Sequence, residues 1–321
     1  MNIKIILIVL GEPNSTFSEV LFKYFNSNKY KKNKKKIILI GNVKLLKAQM
    51  KILKQKVILN EIYNISESEN KKINIINVDY NFKDAFSKIK INSNKYIEKC
   101  FDISLSIIKK NKNCVLINGP ISKKTFLNKK FLGITEYVGH KTKSKNPVML
   151  IYNEKLAVSP LTTHVPLKNV TKLVKKRKII KDTIKINNFY KLFFKKKPTI
   201  GVLGLNPHCE TTSKISEEEN EIVPAIKYLS KNKIKIDGPI PADTFFIKKN
   251  MDRFDVGIGM YHDQVLAPIK TIFEFKAVNI TLGLPFLKIT PDHGPNYKML
   301  GKNQSDPSSI FYAFEIINNI K

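Results

Sequence analysis

Short runs of branched and aromatic apolar residues recur along the chain, separated by stretches in which apolar positions return every three or four residues. The runs predict strands over 3–10, 36–40, 73–78, 114–117, 148–152, 156–161, 199–205 and 256–260. The intervening periodicity predicts helices over 18–25, 45–53, 103–110, 181–194 and 217–229. Strands alternating with helices imply an α/β architecture with largely parallel sheets. The charge run KLVKKRKIIK at 172–181 reads as a solvated helix face. The first apolar run stops at Gly11-Glu12-Pro13 with no small-residue cleavage site, so it reads as a buried strand, not a signal peptide. No stretch approaches about 20 consecutive apolar residues, which excludes a transmembrane helix. No internal repeat and no Pro/Gly-rich linker marks a domain boundary.

Composition changes this picture in two places. A chain of 321 residues, 42% hydrophobic, has enough core for two globular domains or one large one. The formal charge of +31 invites a nucleic-acid reading, but among 57 basic residues only Arg177 and Arg253 are arginines. Nucleic-acid readers rely on the bidentate arginine fork, and here lysine is spread through nearly every segment beside abundant Asn and Ile. The pattern is one of compositional drift, and neither a nucleic-acid nor a membrane partner is expected. The excess charge still steers anionic small substrates toward the chain. Three scattered cysteines, Cys100, Cys114 and Cys209, make no disulfide framework, and the cytoplasm is the default compartment.

Candidate chemistry gathers in the second half. Polar clusters follow the apolar runs at Leu161-Thr-Thr-His-Val-Pro166, Gly204-Leu-Asn-Pro-His-Cys-Glu210, Gly238-Pro-Ile-Pro-Ala-Asp-Thr244 and Met260-Tyr-His-Asp-Gln264. In α/β sheets ligands bind outside the carboxyl ends of strands, where such clusters fall. His164, His208 and His262 each follow a strand-like run, and three imidazoles at three strand ends can converge on one divalent ion. The competing reading is that each caps its own strand, since no HExxH or CxxC spacing is present. No GxGxxG follows the first strand and no GxxxxGK[ST] occurs, so neither a standard Rossmann turn nor a P-loop is supported. Asn118-Gly-Pro-Ile-Ser-Lys-Lys124 is either a purely structural turn or the start of a ligand-binding helix. Cys209 reads as a small filler, not a nucleophile, for want of a Cys–His–Asn order.

Taken together, the segments NGPISKKTF, GITEYVGHKT, LTTHVPLKNV, GLNPHCE, GPIPADTFF, MYHDQVLAPIK, VNITLGLPF, PDHGPNYKMLGK and DPSS resemble the 4-hydroxythreonine-4-phosphate dehydrogenases of vitamin B6 biosynthesis, in the family's order from Asn118 to Ser309. The resemblance implies a two-domain isocitrate/isopropylmalate dehydrogenase-like fold with a cleft between the domains. The expected division is 1–128 plus 278–321 for the first domain and 129–277 for the second, which carries metal ligands and dimer contacts. It implies NAD- or NADP-dependent oxidation and decarboxylation of 4-phosphooxy-L-threonine to 3-amino-2-oxopropyl phosphate and carbon dioxide. Alternatives are a dehydrogenase of a related phosphorylated hydroxy acid such as 4-phosphothreonate, or a non-redox metal-dependent lyase or hydrolase.

By motif, His164, His208 and His262 fall on the family's metal ligands, in a homodimer whose sites are shared and whose His262 comes from the partner subunit. Zinc suits three imidazoles, with magnesium, manganese or cobalt as other candidates. Thr135, Asp243, Lys270, Asn279 and Lys288 fall on substrate contacts, with Asp243 or Lys270 as the catalytic proton acceptor. His293 and Gly294 resemble the segment that holds the cofactor's adenosine. The chain departs from the family in three places. The first loop reads GEPNSTFSE where the family has GDPAGIGPE, so it lacks the inner glycines that let a ligand approach the backbone closely. Ile134 replaces a His before Thr135, and Lys288 replaces an Arg, keeping the charge without the planar fork.

Overall fold

A computed structural model describes residues 3–128, 130–211, 216–274, 276–291 and 294–320. The chain divides into two compact units, Met1–Lys145 with Leu284–Ile320, and Asn146–Gly283. The division comes later on both sides than the expected 128 and 278. The helix Ile134–Lys141 sends Tyr137 and Val138 into the first unit's core, which carries 130–145 with it. The strand at 278–282 pairs with one at 148–152 and so stays in the second unit.

Among the described residues the first unit holds six strands: β1 Ile5–Val9, β2 Lys36–Gly41, β3 Leu59–Ile62, β4 Ile73–Asn77, β5 Cys114–Asn118 and, after the second unit, β12 Leu287–Pro291. Their order is β3-β4-β2-β1-β5-β12, and every pairing is parallel. β1 and β5 are buried along their whole length, as strands covered on both faces must be. The helix Asn94–Lys110 packs one face, Ile97, Cys100, Phe101 and Ile108, against β1, β2 and β5.

The second unit holds β6 Val148–Tyr152, β7 Ala157–Thr162, β8 Ile200–Leu203, β9 Ile236–Ile240, β10 Val256–Tyr261 and β11 Val278–Leu282, in the order β11-β6-β7-β10-β8-β9. β6 is antiparallel to both its neighbours, whereas β7, β10, β8 and β9 run parallel. Four strand C-termini therefore share one edge. Phe245, fully buried, lies where a Cβ on Gly201 of β8 or Gly257 of β10 would come within 2.6–2.7 Å of its ring. Those two glycines make the seat that fixes the short helix Ala242–Phe245 after β9. Among the described residues no helix is long and apolar enough to cross a membrane.

Candidate active site

The shared edge of the second unit collects the polar clusters singled out in the sequence. His164 lies two residues beyond β7, His262 follows β10 directly and opens the helix His262–Phe273, and Asp243 lies in the turn of helix after β9. The β7–β10 ladder runs to Tyr261↔Thr162, and Thr162 Oγ1 donates to the Met260 carbonyl at 2.8 Å. This pairing brings the His164 and His262 rings to 5.8 Å between centroids, both half-buried. Asp263 Oδ1 lies 2.6 Å from His262 Nδ1, a contact that orients the ring and engages the Nδ1 side, so a ligand at this imidazole would be met by Nε2.

His208 is placed differently. It lies five residues past the end of β8, exposed, on the turn Pro207–Cys209. His164 (φ 55°), His208 (φ 55°) and Cys209 (φ 62°) all have left-handed backbone. Such conformations cost about 1–3 kcal/mol each for non-glycine residues and persist only where the surroundings impose them. The buried carboxylate of Glu218 does so for the His208 turn. Its Oε1 accepts from the Leu205 and Asn206 N–H groups at 2.7 and 2.8 Å, and its Oε2 from Asn206 Nδ2 at 2.8 Å. Burial pushes the Glu218 carboxyl up, but the bonds from Asn206 and Leu205 outweigh it and hold the group below its ordinary value.

The donor set fits a divalent ion as a pair plus one. Two imidazoles bound to one ion through bonds of about 2.0–2.1 Å place their ring centres about 5–6 Å apart, as His164 and His262 do. Among the described residues no three His, Cys, Asp or Glu side chains of one chain cluster closely enough to hold an ion, so His208 does not join the pair within the chain. The resemblance implies a site in which His262 comes from the partner; within one chain the His262 ring also lies beside His164.

The other expected residues are dispersed. Lys270 is eight residues along the helix from His262, about 12 Å up its axis at 1.5 Å per residue. Asn279 lies on β11, its Oδ1 buried without a hydrogen-bond partner among the described residues. In the first unit Thr135 is buried in the opening turn of the helix Ile134–Lys141. Lys288, 0% exposed on β12, donates from Nζ to Thr290 Oγ1 at 2.6 Å, and Thr290 donates to Asn118 Oδ1 at 2.9 Å. Burial drives its amine from 10.5 down to about 7, against the opposing pull of the Glu136 carboxylate. Gly294 is exposed, with open space where a Cβ would stand, and His293 lies outside the described residues.

Local packing and burial bear on three further segments. Phe17, at an inner glycine of the family loop, is buried with its ring where a Cβ on Gly119 would reach 2.4 Å. The altered first loop is thus filled by the chain itself, and the glycine of Asn118-Gly-Pro120 serves that contact. Burial pushes the Cys209 thiol up, and the carboxylates of Glu218, Asp243 and Glu210 add to it, while a backbone bond to Gly204 opposes them. Such a thiol makes a poor nucleophile. Glu218, Gln264, Thr290 and Asn118 were not singled out by sequence reasoning. Gln264 sits in the MYHDQ cluster and Asn118 in NGPISKK, so their segments were visible but their roles as hydrogen-bonding supports were not.

Fold and site define a two-unit α/β protein with a histidine pair at a parallel strand edge, in the structural class that includes isocitrate dehydrogenase. The solved isocitrate dehydrogenase of Methylococcus capsulatus aligns over 99% of this chain and 85% of its own at TM-score 0.50 and 10% identity. The crystal structure of a 4-hydroxythreonine-4-phosphate dehydrogenase from Burkholderia phymatum aligns over 100% and 99% at TM-score 0.83 and 24% identity. In sequence the chain is 36% identical over 313 residues to the 4-hydroxythreonine-4-phosphate dehydrogenase of Sulfurihydrogenibium sp. (strain YO3AOP1), covering 96% of each. The family model for the pyridoxal phosphate biosynthetic protein PdxA matches residues 33–317, and the chain belongs to the PdxA family.

Proposed function

We propose that this chain is an NAD-dependent dehydrogenase that oxidises and decarboxylates 4-phosphooxy-L-threonine to 3-amino-2-oxopropyl phosphate and carbon dioxide in vitamin B6 biosynthesis. The observation that carries the reading is the His164–His262 pair at a parallel strand edge, in a chain of the PdxA family. His164 and His262 of one chain and His208 of a second copy would hold one divalent metal, with zinc best suited to three imidazoles. When bound, such an ion supplies Lewis acidity for the negative charge that develops in oxidation and again in decarboxylation.

The chain's own residues do the rest. Asp243 lies exposed in the turn after β9, on the edge that carries the histidines, and we assign it as the acceptor of the C3 hydroxyl proton; a bound nicotinamide would supply the hydride acceptor. Lys270, two turns along its helix, suits a more distant substrate group, and the orphaned Asn279 Oδ1 is an acceptor available to a substrate donor. Thr135 and Lys288 are the proposed contacts on the first unit, and His293 and Gly294 the proposed adenosine contacts. NADP is the alternative cofactor, and a homodimer in the cytoplasm the proposed setting, in keeping with three free thiols. The test is nicotinamide absorbance with 4-phosphooxy-L-threonine, NAD or NADP, and zinc, cobalt, manganese or magnesium added back after chelation. Absence of nicotinamide reduction by metal-replete protein would remove the dehydrogenase reading.

A further inference from the structure

The two parts of the histidine site are held by different means. The His164–His262 pair is secured by the β7–β10 ladder, which continues to Tyr261↔Thr162. The β10–β8 ladder stops at Ile258↔Val202, short of the turn that carries His208. One side chain extends that connection. Gln264 Oε1 accepts from the Met260 N–H at 2.7 Å, and its Nε2 donates to the Gly204 carbonyl at 2.7 Å. β10 leaves room for it: a Cβ on Gly259 would meet Gln264 Oε1 at 3.0 Å. From Gly204 the connection passes to Leu205 and Asn206, whose N–H groups are taken by Glu218, and the Asn206 carbonyl accepts from Cys209 N–H at 3.1 Å to close the His208 turn.

We propose that Gln264 is a positioning residue that, together with Glu218, fixes the His208 turn relative to the His164–His262 pair. A primary amide is suited to this task because it accepts at one end and donates at the other, each time to main chain that no strand ladder satisfies. A carboxylate in its place keeps the acceptor for Met260 but turns an oxygen toward the Gly204 carbonyl. The β7–β10 ladder holds the pair without Gln264, so the expected defect falls first on how His208 is presented to metal.

This inference rests on the proposed metal site, and its readout is cobalt(II) binding followed by visible absorption, independent of turnover. Gln264→Glu should weaken cobalt binding by about 10–100-fold, the usual effect of losing an orienting partner, with far-ultraviolet circular dichroism unchanged. Ser159→Ala removes another buried bond of the same unit, to the Met149 carbonyl at 2.8 Å, and should lower the melting temperature without changing cobalt affinity. If Gln264→Glu does not fold, Glu218→Gln replaces it, with the same direction expected. A cobalt-binding wild type whose folded variant binds cobalt equally well overturns this inference alone. A wild type that binds no cobalt overturns the metal reading and the inference with it.

Discussion

Subunit mixing tests the histidine arrangement directly. His164 and His262 lie on one chain at 5.8 Å, while His208 is exposed on a separate turn, so the proposed shared site would take its pair from one subunit and His208 from the other. His164→Ala and His208→Ala homodimers should each be nearly inactive, because every site lacks a ligand. In a mixed dimer one site collects both defects. The other is intact, its pair coming from the His208→Ala chain and its His208 from the His164→Ala chain. Random reassortment of equal amounts makes half the dimers mixed, each with one good site of two, so activity should recover to about a quarter of wild type. His164→Ala mixed with His262→Ala should recover nothing, because both sites of that dimer keep a damaged pair. The assay is nicotinamide reduction after exchange under mild denaturant, with exchange verified by mass-tagged subunits. Recovery in the second mixture and not the first would refute the arrangement and put His262 on the partner. No recovery in either, despite exchange, would refute sharing altogether.

Lys288 should make stability depend on pH. Its amine falls from 10.5 to about 7 on burial, so between those values the unfolded chain holds a proton that the folded chain has released. Stability therefore rises with pH across that window, by at most about 1.4 kcal/mol per pH unit, and the penalty is present in full below it. Urea unfolding at pH 7 and pH 9 should show this rise in wild type but not in Lys288→Met; parallel profiles would show that the amine is not desolvated. If Lys288 also touches substrate, Lys288→Ala should lower kcat/KM by about 1.5–3 kcal/mol, the worth of a charged hydrogen bond. Phe245→Ala empties the seat formed by Gly201 and Gly257 and should cost about 3–5 kcal/mol in urea unfolding, with turnover falling further because Asp243 loses its anchor.

Eight strands were legible as apolar runs, and the four that were not had physical reasons to be hidden. β3 (LNEI) and β9 (IDGPI) are the outer strands of their units' orders, where one side is unpaired and polar residues, Gly and Pro are tolerated. β11 (VNITL) and β12 (LKITP) are interrupted by Asn279 and Lys288, two residues expected to contact substrate. The same side chains that mark a candidate site break the apolar run that would have revealed its strand. The exact place of the division is hidden from the sequence for a related cause. The helix Ile134–Lys141 belongs to the first unit through Tyr137 and Val138, and no linker composition announces such a tertiary contact.

The histidines show where reading along a chain stops being informative. All three follow strands that are neighbours in the order β7-β10-β8, so sequence alone treats them as equivalent. What separates them is the distance from strand end to ring. A residue one or two positions past a paired strand inherits the ladder's spacing, and His262 and His164 are that close. A residue five positions past has left the ladder, and only side-chain bonds can fix it. Apolar run lengths predicted that the strand before His208 extends to 205, two residues too far, because Gly204 and Leu205 continue the apolar pattern. Their backbone groups are instead taken by Ile240, Gln264 and Glu218. That early stop leaves His208 on an exposed turn, where the proposed site would draw on it as a single imidazole beside a pair from another copy.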